Sequence, residues 1–264
     1  ITWITWITWI TWITWITSRI TLTQQSSVTG MQSTIFASRA VTSEVRVMNF
    51  QHVGEALRYF ENYWPLLGVD VLDDVDEGML LASNEGRLRF VDAILNTLIE
   101  GQLDVPEAVI LGGLSAIIDT TATILPYSIF AEDVPTWLRA DVLSKMHTVF
   151  AENFARRCDQ TLASRATAPQ SPWNQLCFMW WELLPRHGVP SEVFLEETDI
   201  AIVRLIGASL KVDHIACKES ALHGLALWYA ARPDDVRREI DKNACFIPPA
   251  LSDYALAARV GNLQ

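Results

Sequence analysis

The sequence predicts an all-α fold, an array of stacked helical hairpins behind an N-terminal extension of different character. Two observations carry this. From Asn49 onward, apolar residues recur at helical spacing in one segment after another, with Pro, Gly, Ser, Thr or Asp between them. The segment Ala216–Ala244, ACKESALHGLALWYAARPDDVRREIDKNA, then reads as two short helices joined at Arg232-Pro233. The first of these is apolar or small on most of its circumference, so it needs neighbours on two sides, which stacked hairpins supply.

The chain has 264 residues, half of them hydrophobic, which is enough for one large core or two small ones. Its formal charge is 20 − 31 = −11. A nucleic-acid backbone or an anionic membrane surface calls for clustered Lys and Arg, so neither is expected as the main partner. Cys158, Cys177, Cys217 and Cys245 are widely separated and never in CxxC spacing, which suits reduced thiols in a cytoplasmic protein.

Residues 1–17 are ITW five times followed by Ile16-Thr17. A period of three matches neither a strand nor a helix. Thr at every third place also breaks the apolar core that a signal peptide or a membrane span requires. The run reads as translated low-complexity repeat, with β-prone stickiness as the alternative. Residues 18–47 are rich in Ser and Thr. The folded domain is therefore expected to begin near Met48, with residues 1–47 a disordered or non-native extension.

Helix 50–63 is expected from Val53, Ala56, Leu57, Phe60 and Trp64, stopped by Pro65 and Gly68. Asp70 to Gly78 holds five carboxylates in eight residues, yet no register supplies the ligand spacing of an EF-hand, leaving a solvated acidic loop. A helix over 87–100 follows from Leu88, Val91, Leu95, Leu98 and Ile99, and after the Gly101–Asp104 link another begins at Val105-Pro106. Gly112-Gly113 inside it suggest a close helix crossing, because each glycine costs about 1 kcal/mol relative to Ala and LGGLS lacks a phosphate-loop spacing. Pro126 ends that element. Thr136 is the expected N-cap of the longest helix, 137–162, whose stripe is Leu138, Val142, Met146, Val149, Phe150 and Phe154. His147 sits at its edge.

Residues 163–171 are a Ser/Ala/Pro linker dividing two helical halves, 48–162 and 172–264. Ser171-Pro172 open a helix over 173–184 with Trp173, Leu176, Cys177, Trp180, Trp181 and Leu184 on one face, expected to be central and buried. Pro185, Gly188 and Pro190 place His187 on a loop. Thr198 or Asp199 is the expected cap of a helix to Leu210, and Asp213 that of the next. On a wheel, Cys217, Ala221, Leu225 and Trp228 fall within about 80°, with Glu219 and His223 opposite.

Val105–Ile117 aligns with Ala216–Trp228 at an offset of 216 − 105 = 111, matching Leu111 with Leu222, Gly113 with Gly224 and Leu114 with Leu225. ILNTLIE and LIGASLK precede the two in the same register, so the halves look like copies of one unit. The ESALHGLALW run with the RPDDVRREID helix after it resembles HEAT-like helical repeats. It is similar in particular to uncharacterised bacterial proteins with an ESALHGLGHW-type motif after an MWW-type helix, here Met179-Trp180-Trp181. The resemblance spans about 48–244, and Ala226-Leu227 replace the Gly-His of that motif. It implies an α-α superhelix and no transferable catalytic residue.

Candidate chemistry is thin. His214, Cys217, His223 and Cys245 lack the paired short spacings of structural zinc. Glu219 and His223 match neither HExxH nor the ExxH of di-iron bundles, and read as an ordinary i,i+4 pair. A Cys–His nucleophile needs an orienting third group that the spacing does not identify. No catalytic, cofactor-binding or metal-binding residue is assigned. The expected function is a non-catalytic protein-binding helical module, regulatory or immunity-type, whose polar interaction residues would be Glu182, His187, Glu219 and His223. The alternatives are an enzyme or small-ligand-binding protein with a pocket between the halves, and a scaffold subunit.

Overall fold

Trp180, Trp181 and Trp228 are the largest fully buried side chains among the described residues. In this computed structural model the described residues are 83–100, 107–120, 124–165, 170–187 and 192–263. The ITW run, residues 18–47, the helix over 50–63, the acidic loop Asp70–Gly78, the Gly101–Asp104 link and Gly188 and Pro190 lie outside them. All described residues are helical or connecting, and the fold is all-α.

The helices are α1 (Asn84–Glu100), α2 (Glu107–Ile118), α3 (Thr136–Val149, prolonged by a π turn Phe150–Phe154 and Ala155–Arg157), α4 (Pro172–Met179), α5 (Glu196–Ser209), α6 (Ile215–Trp228), α7 (Pro233–Lys242) and α8 (Ser252–Ala258). Short 3-10 turns at Leu125–Phe130, Ala163–Arg165, Val193–Leu195, Ala244–Phe246 and Pro249–Leu251 join them. α1 packs on α3, α3 on α5 and α5 on α7, while α2 packs on α4, α4 on α6 and α6 on α8. Odd and even helices thus form two layers, held together where α5 meets α6 and α6 meets α7. From α3 on, each helix packs on the helix two before it within its own layer. The aligned segments fall on α2 and α6, both in the even layer.

Local chemistry explains most boundaries. Pro172 opens α4, and the Ser171 hydroxyl accepts the Asn174 backbone N–H, as a cap should. Three other expected caps are corrected. Pro135 precedes α3 and Thr136 is already helical; Leu195 and His214 precede α5 and α6, and no side chain caps any of the three. Asp199 lies inside the first turn of α5, where it is fully buried and bonded by the Arg186 guanidinium at 3.1 and 3.2 Å. An ion pair has taken the carboxylate that propensity assigned to the helix end. Asp213 is exposed.

Two expected helices are shorter than their apolar stripes. α3 does not continue to 162; a π turn interrupts it and the backbone turns extended at Cys158. The wider π turn sets Phe150 and Phe154 into one aromatic cluster. Phe154 lies edge-on to Trp173 and Trp180, with centroids 5.8 and 5.1 Å away, and Phe150 is 5.3 Å from Trp181. α4 ends at Met179, and the chain turns through Trp180 to His187 with Trp180, Trp181 and Leu184 still buried. Burial of that stripe is as expected; its helicity past Met179 is not. Of the Gly112-Gly113 pair expected at a close crossing, Gly112 leaves room, since a Cβ there meets nothing within 4 Å, while Gly113 is buried.

Candidate functional site

α6 carries the groups with chemical potential, and its two faces treat them differently. Ala216 to Leu222, Gly224, Leu225 and Trp228 are all buried, so this helix is enclosed on most sides. Its enclosure depends on Gly224, because a Cβ there would lie 2.6 Å from the Cβ of Trp181. One turn earlier, the Ser220 hydroxyl donates to the Cys177 carbonyl. The α4 strand of the chain and α6 therefore approach backbone to backbone, made possible by small residues at 220, 221 and 224.

On one face, His223 lies at the centre of a polar cluster. Its ring stacks on Phe178 with centroids 4.4 Å apart. Nε2 is 2.9 Å from Glu182 Oε2 and Nδ1 is 3.2 Å from the Tyr254 hydroxyl. A carboxylate only accepts, so Nε2–H donates to Glu182, and the Nδ1 lone pair accepts from Tyr254. The assignment needs a neutral phenol. Burial and the nearby charges of Glu219 and Glu182 push the Tyr254 hydroxyl well above its ordinary value, which keeps it protonated. Burial alone would raise Glu182, but the His223 hydrogen bond, with the charge that His223 and His187 carry when protonated, outweighs it and holds the carboxyl below its usual range. The cluster ties the turn after α4, α6 and α8 together.

Glu219 sits one turn before His223 but does not pair with it. It is 1% exposed, and its carboxylate accepts the backbone N–H of Ala163 at 2.6 Å, the backbone N–H of Ser164 at 3.0 Å and the Ser164 hydroxyl. The i,i+4 pairing expected from spacing is replaced by a clamp on the first residues of the 163–171 segment. Of the residues expected to form an interaction surface, Glu182, His223 and His187 come together half-buried at one place. Glu219 lies beneath them, out of reach of a partner.

On the other face, three cysteines converge. Cys177 Sγ and Cys217 Sγ are 4.0 Å apart, both fully buried, and half-exposed Cys158 also borders Cys177. His214, 4% exposed, places Nε2 3.1 Å from the Cys158 carbonyl, so Nε2–H is the donor and Nδ1 is the basic nitrogen. Nδ1 has no hydrogen-bond partner, although the ring is near enough to Cys217 for each to shift the charge of the other. The Cys177 thiol beside it lowers the Cys217 pKa to about 6 against the opposing effect of burial, with His214 and Lys218 adding their positive charge. Burial drives Cys177 the other way, well up. The structure gives Cys217 neighbours that the spacing did not identify. The signal lay in His214-x-x-Cys217, which puts the imidazole at the cap position and the thiol in the first helical turn. What spacing could not supply was Cys177, forty residues away in sequence. Cys245 is exposed and apart from this group. Among the described residues no group of three or more His, Cys, Asp or Glu side chains is arranged to hold a metal ion, and no helix is long and apolar enough to cross a membrane.

No family model matches the chain, and neither a curated protein nor a solved structure matches it significantly.

Proposed function

We propose that this chain is a non-catalytic, HEAT-like helical module of the bacterial cytoplasm that binds another protein through the edge formed by the starts of α3 and α5. One observation carries the reading. Trp137, Val193 and Phe194 are 59%, 95% and 41% exposed, and among the described residues they belong to a small set of exposed large apolar side chains that also holds Tyr127, Phe246, Leu256 and Val260. Large apolar groups held in water are costly unless a partner covers them, and Trp and Phe are residue types enriched at interfaces.

The edge is held in place from inside. Arg139, 3% exposed, donates to the carbonyls of Ile129 and Ala131 at 2.6 and 2.8 Å and to Thr198 Oγ1 at 3.3 Å. That side chain joins the first turn of α3 to the first turn of α5, so Trp137 and the Val193-Phe194 pair stand on neighbouring helix ends. Exposed Glu132, Asp133, Glu192, Glu196 and Glu197 surround them. In a chain of net charge −11, such a rim favours a partner segment that is basic and apolar. Four unpaired cysteines agree with a reducing compartment.

The test is affinity capture with the full chain and with a Trp137→Ala, Val193→Ser, Phe194→Ser variant, followed by reconstitution with the purified protein captured. The expected result is a 1:1 complex weakened by salt and by the variant, on the order of a hundredfold for the latter given the usual cost of hot-spot truncation. Binding that survives the triple variant refutes the surface. A small molecule that raises the melting temperature, with no protein captured, refutes the module.

A further inference from the structure

The buried thiol pair between α4 and α6 is used by neither the proposed binding edge nor the His223 cluster. Its geometry is specific. Cys177 Sγ and Cys217 Sγ are 4.0 Å apart across a crossing where the Ser220 hydroxyl reaches the Cys177 carbonyl and Gly224 closes on Trp181. A disulfide needs sulfurs about 2.05 Å apart, a closure that side-chain rotation supplies when helices are this near. Cys217 stands in the first turn of α6, where the unpaired backbone N–H groups favour a thiolate. His214 stands near it with a buried Nδ1 that has no hydrogen-bond partner and is the basic nitrogen of the ring. Cys177 is sealed in apolar surroundings and stays a thiol.

We propose that Cys217 and Cys177 form a dithiol–disulfide couple that hydroperoxides oxidise, giving a covalent staple between α4 and α6. In the first step the Cys217 thiolate attacks one peroxide oxygen. The S–O bond forms at the terminal peroxide oxygen, the O–O bond breaks, the sulfur loses two electrons to the peroxide, and the leaving hydroxide or alkoxide takes the proton that Nδ1 of His214 had accepted from the thiol. In the second step Cys177 sulfur attacks the sulfenic acid. The S–S bond forms, the S–O bond breaks, and hydroxide leaves with the Cys177 proton as water. Two thiols and one hydroperoxide become one disulfide, one water and one alcohol or second water. The low pKa of Cys217 and the raised one of Cys177 fit these separate roles.

The experiment uses the full chain carrying Cys245→Ser, which removes the exposed thiol. It is treated with hydrogen peroxide, quenched under denaturing conditions with an alkylating agent, and mapped by mass spectrometry. The expected product is a peptide pair linked through Cys177 and Cys217, reversed by dithiothreitol. With Cys177→Ala, dimedone present during oxidation is expected to label Cys217. His214→Gln is expected to slow the cross-link about tenfold or more, the scale on which loss of an activating imidazole lowers thiolate reactivity. Circular dichroism of each variant confirms that it is folded. A cross-link through Cys158, oxidation confined to Cys158, a 177–217 link formed only in urea, or a His214→Gln rate equal to the parent's each overturns the proposal.

Discussion

α2 and α6 share an apolar pattern, a glycine in register and a preceding helix of the same type, yet their surroundings differ. α6 meets α4, α5, α7 and α8 and is buried over nearly its whole length. α2 packs chiefly on α4 and on the Leu125–Phe130 turn, and Leu111, Gly112 and Ser115 on it are only half-buried. At Gly224 there is no room for a methyl group; at Gly112, one residue before the buried Gly113 that matches Gly224, there is nothing within 4 Å of one. The comparison teaches that a mid-helix glycine marks a close crossing only where a neighbour closes onto it. The polar residues follow the same rule. Glu219 is anchored because the chain returns over α6 at 163–164, and without that return it would be an ordinary surface carboxylate.

Changes on the two helices sharpen this contrast. The largest effect is expected for Glu219→Ala, which removes the buried charged acceptor of the Ala163 and Ser164 backbone N–H groups and of the Ser164 hydroxyl and costs about 3 kcal/mol. Chemical denaturation measures the cost, and faster hydrogen exchange at Ala163 and Ser164 locates it. Gly224→Ala comes next. Its methyl would press on Trp181 at the root of the side chain, and the loss is about 2 kcal/mol. An unchanged midpoint would show that α4 and α6 separate freely. Gly112→Ala has the opposite sign, a gain of up to about 1 kcal/mol from helix propensity alone, read as a higher melting temperature. A loss there would mean that α2 is as enclosed as α6.

The smallest effect is a pH dependence. Glu182 is held below its ordinary value of 4.5 in the folded protein, so the unfolded chain binds its proton more readily. The stability this contributes is present above about pH 4.5 and is lost as pH falls through the lower native value. Glu182→Gln should flatten that part of the acid limb in urea titrations at pH 3 to 6, a window set around the ordinary carboxylate range. An acid limb of unchanged slope would remove Glu182 from the account.

Much of the fold was legible in the sequence. α1, α2, α5, α6 and α7 lie close to where apolar periodicity places them, and the Ser171-Pro172 start of α4 is correct to the residue. The errors share a cause. Thr136, Asp199 and Asp213 have the local propensity to cap a helix, and Asp199 was claimed instead by Arg186 from another part of the chain. Trp180 and Trp181 are apolar at helical spacing, and burial needs only the apolar part. The polar clusters were half legible: His223 and Glu219, or His214 and Cys217, can be read from spacing on one helix. Tyr254, Ser164 and Cys177 complete them from remote positions.

By itself the sequence determined the all-α class, the hairpin at Arg232-Pro233 and the identity of the core helix, because these depend on repeating patterns within a few turns of chain. Only the tertiary structure decided what α6 does with its polar residues. It turned Glu219 inward to clamp a loop, set His223 between Glu182 and Tyr254, and brought Cys177 to Cys217. Each of these depends on which remote element packs beside a given turn, and hydrophobic packing of the two layers makes that choice without reference to the spacing of the groups it brings together.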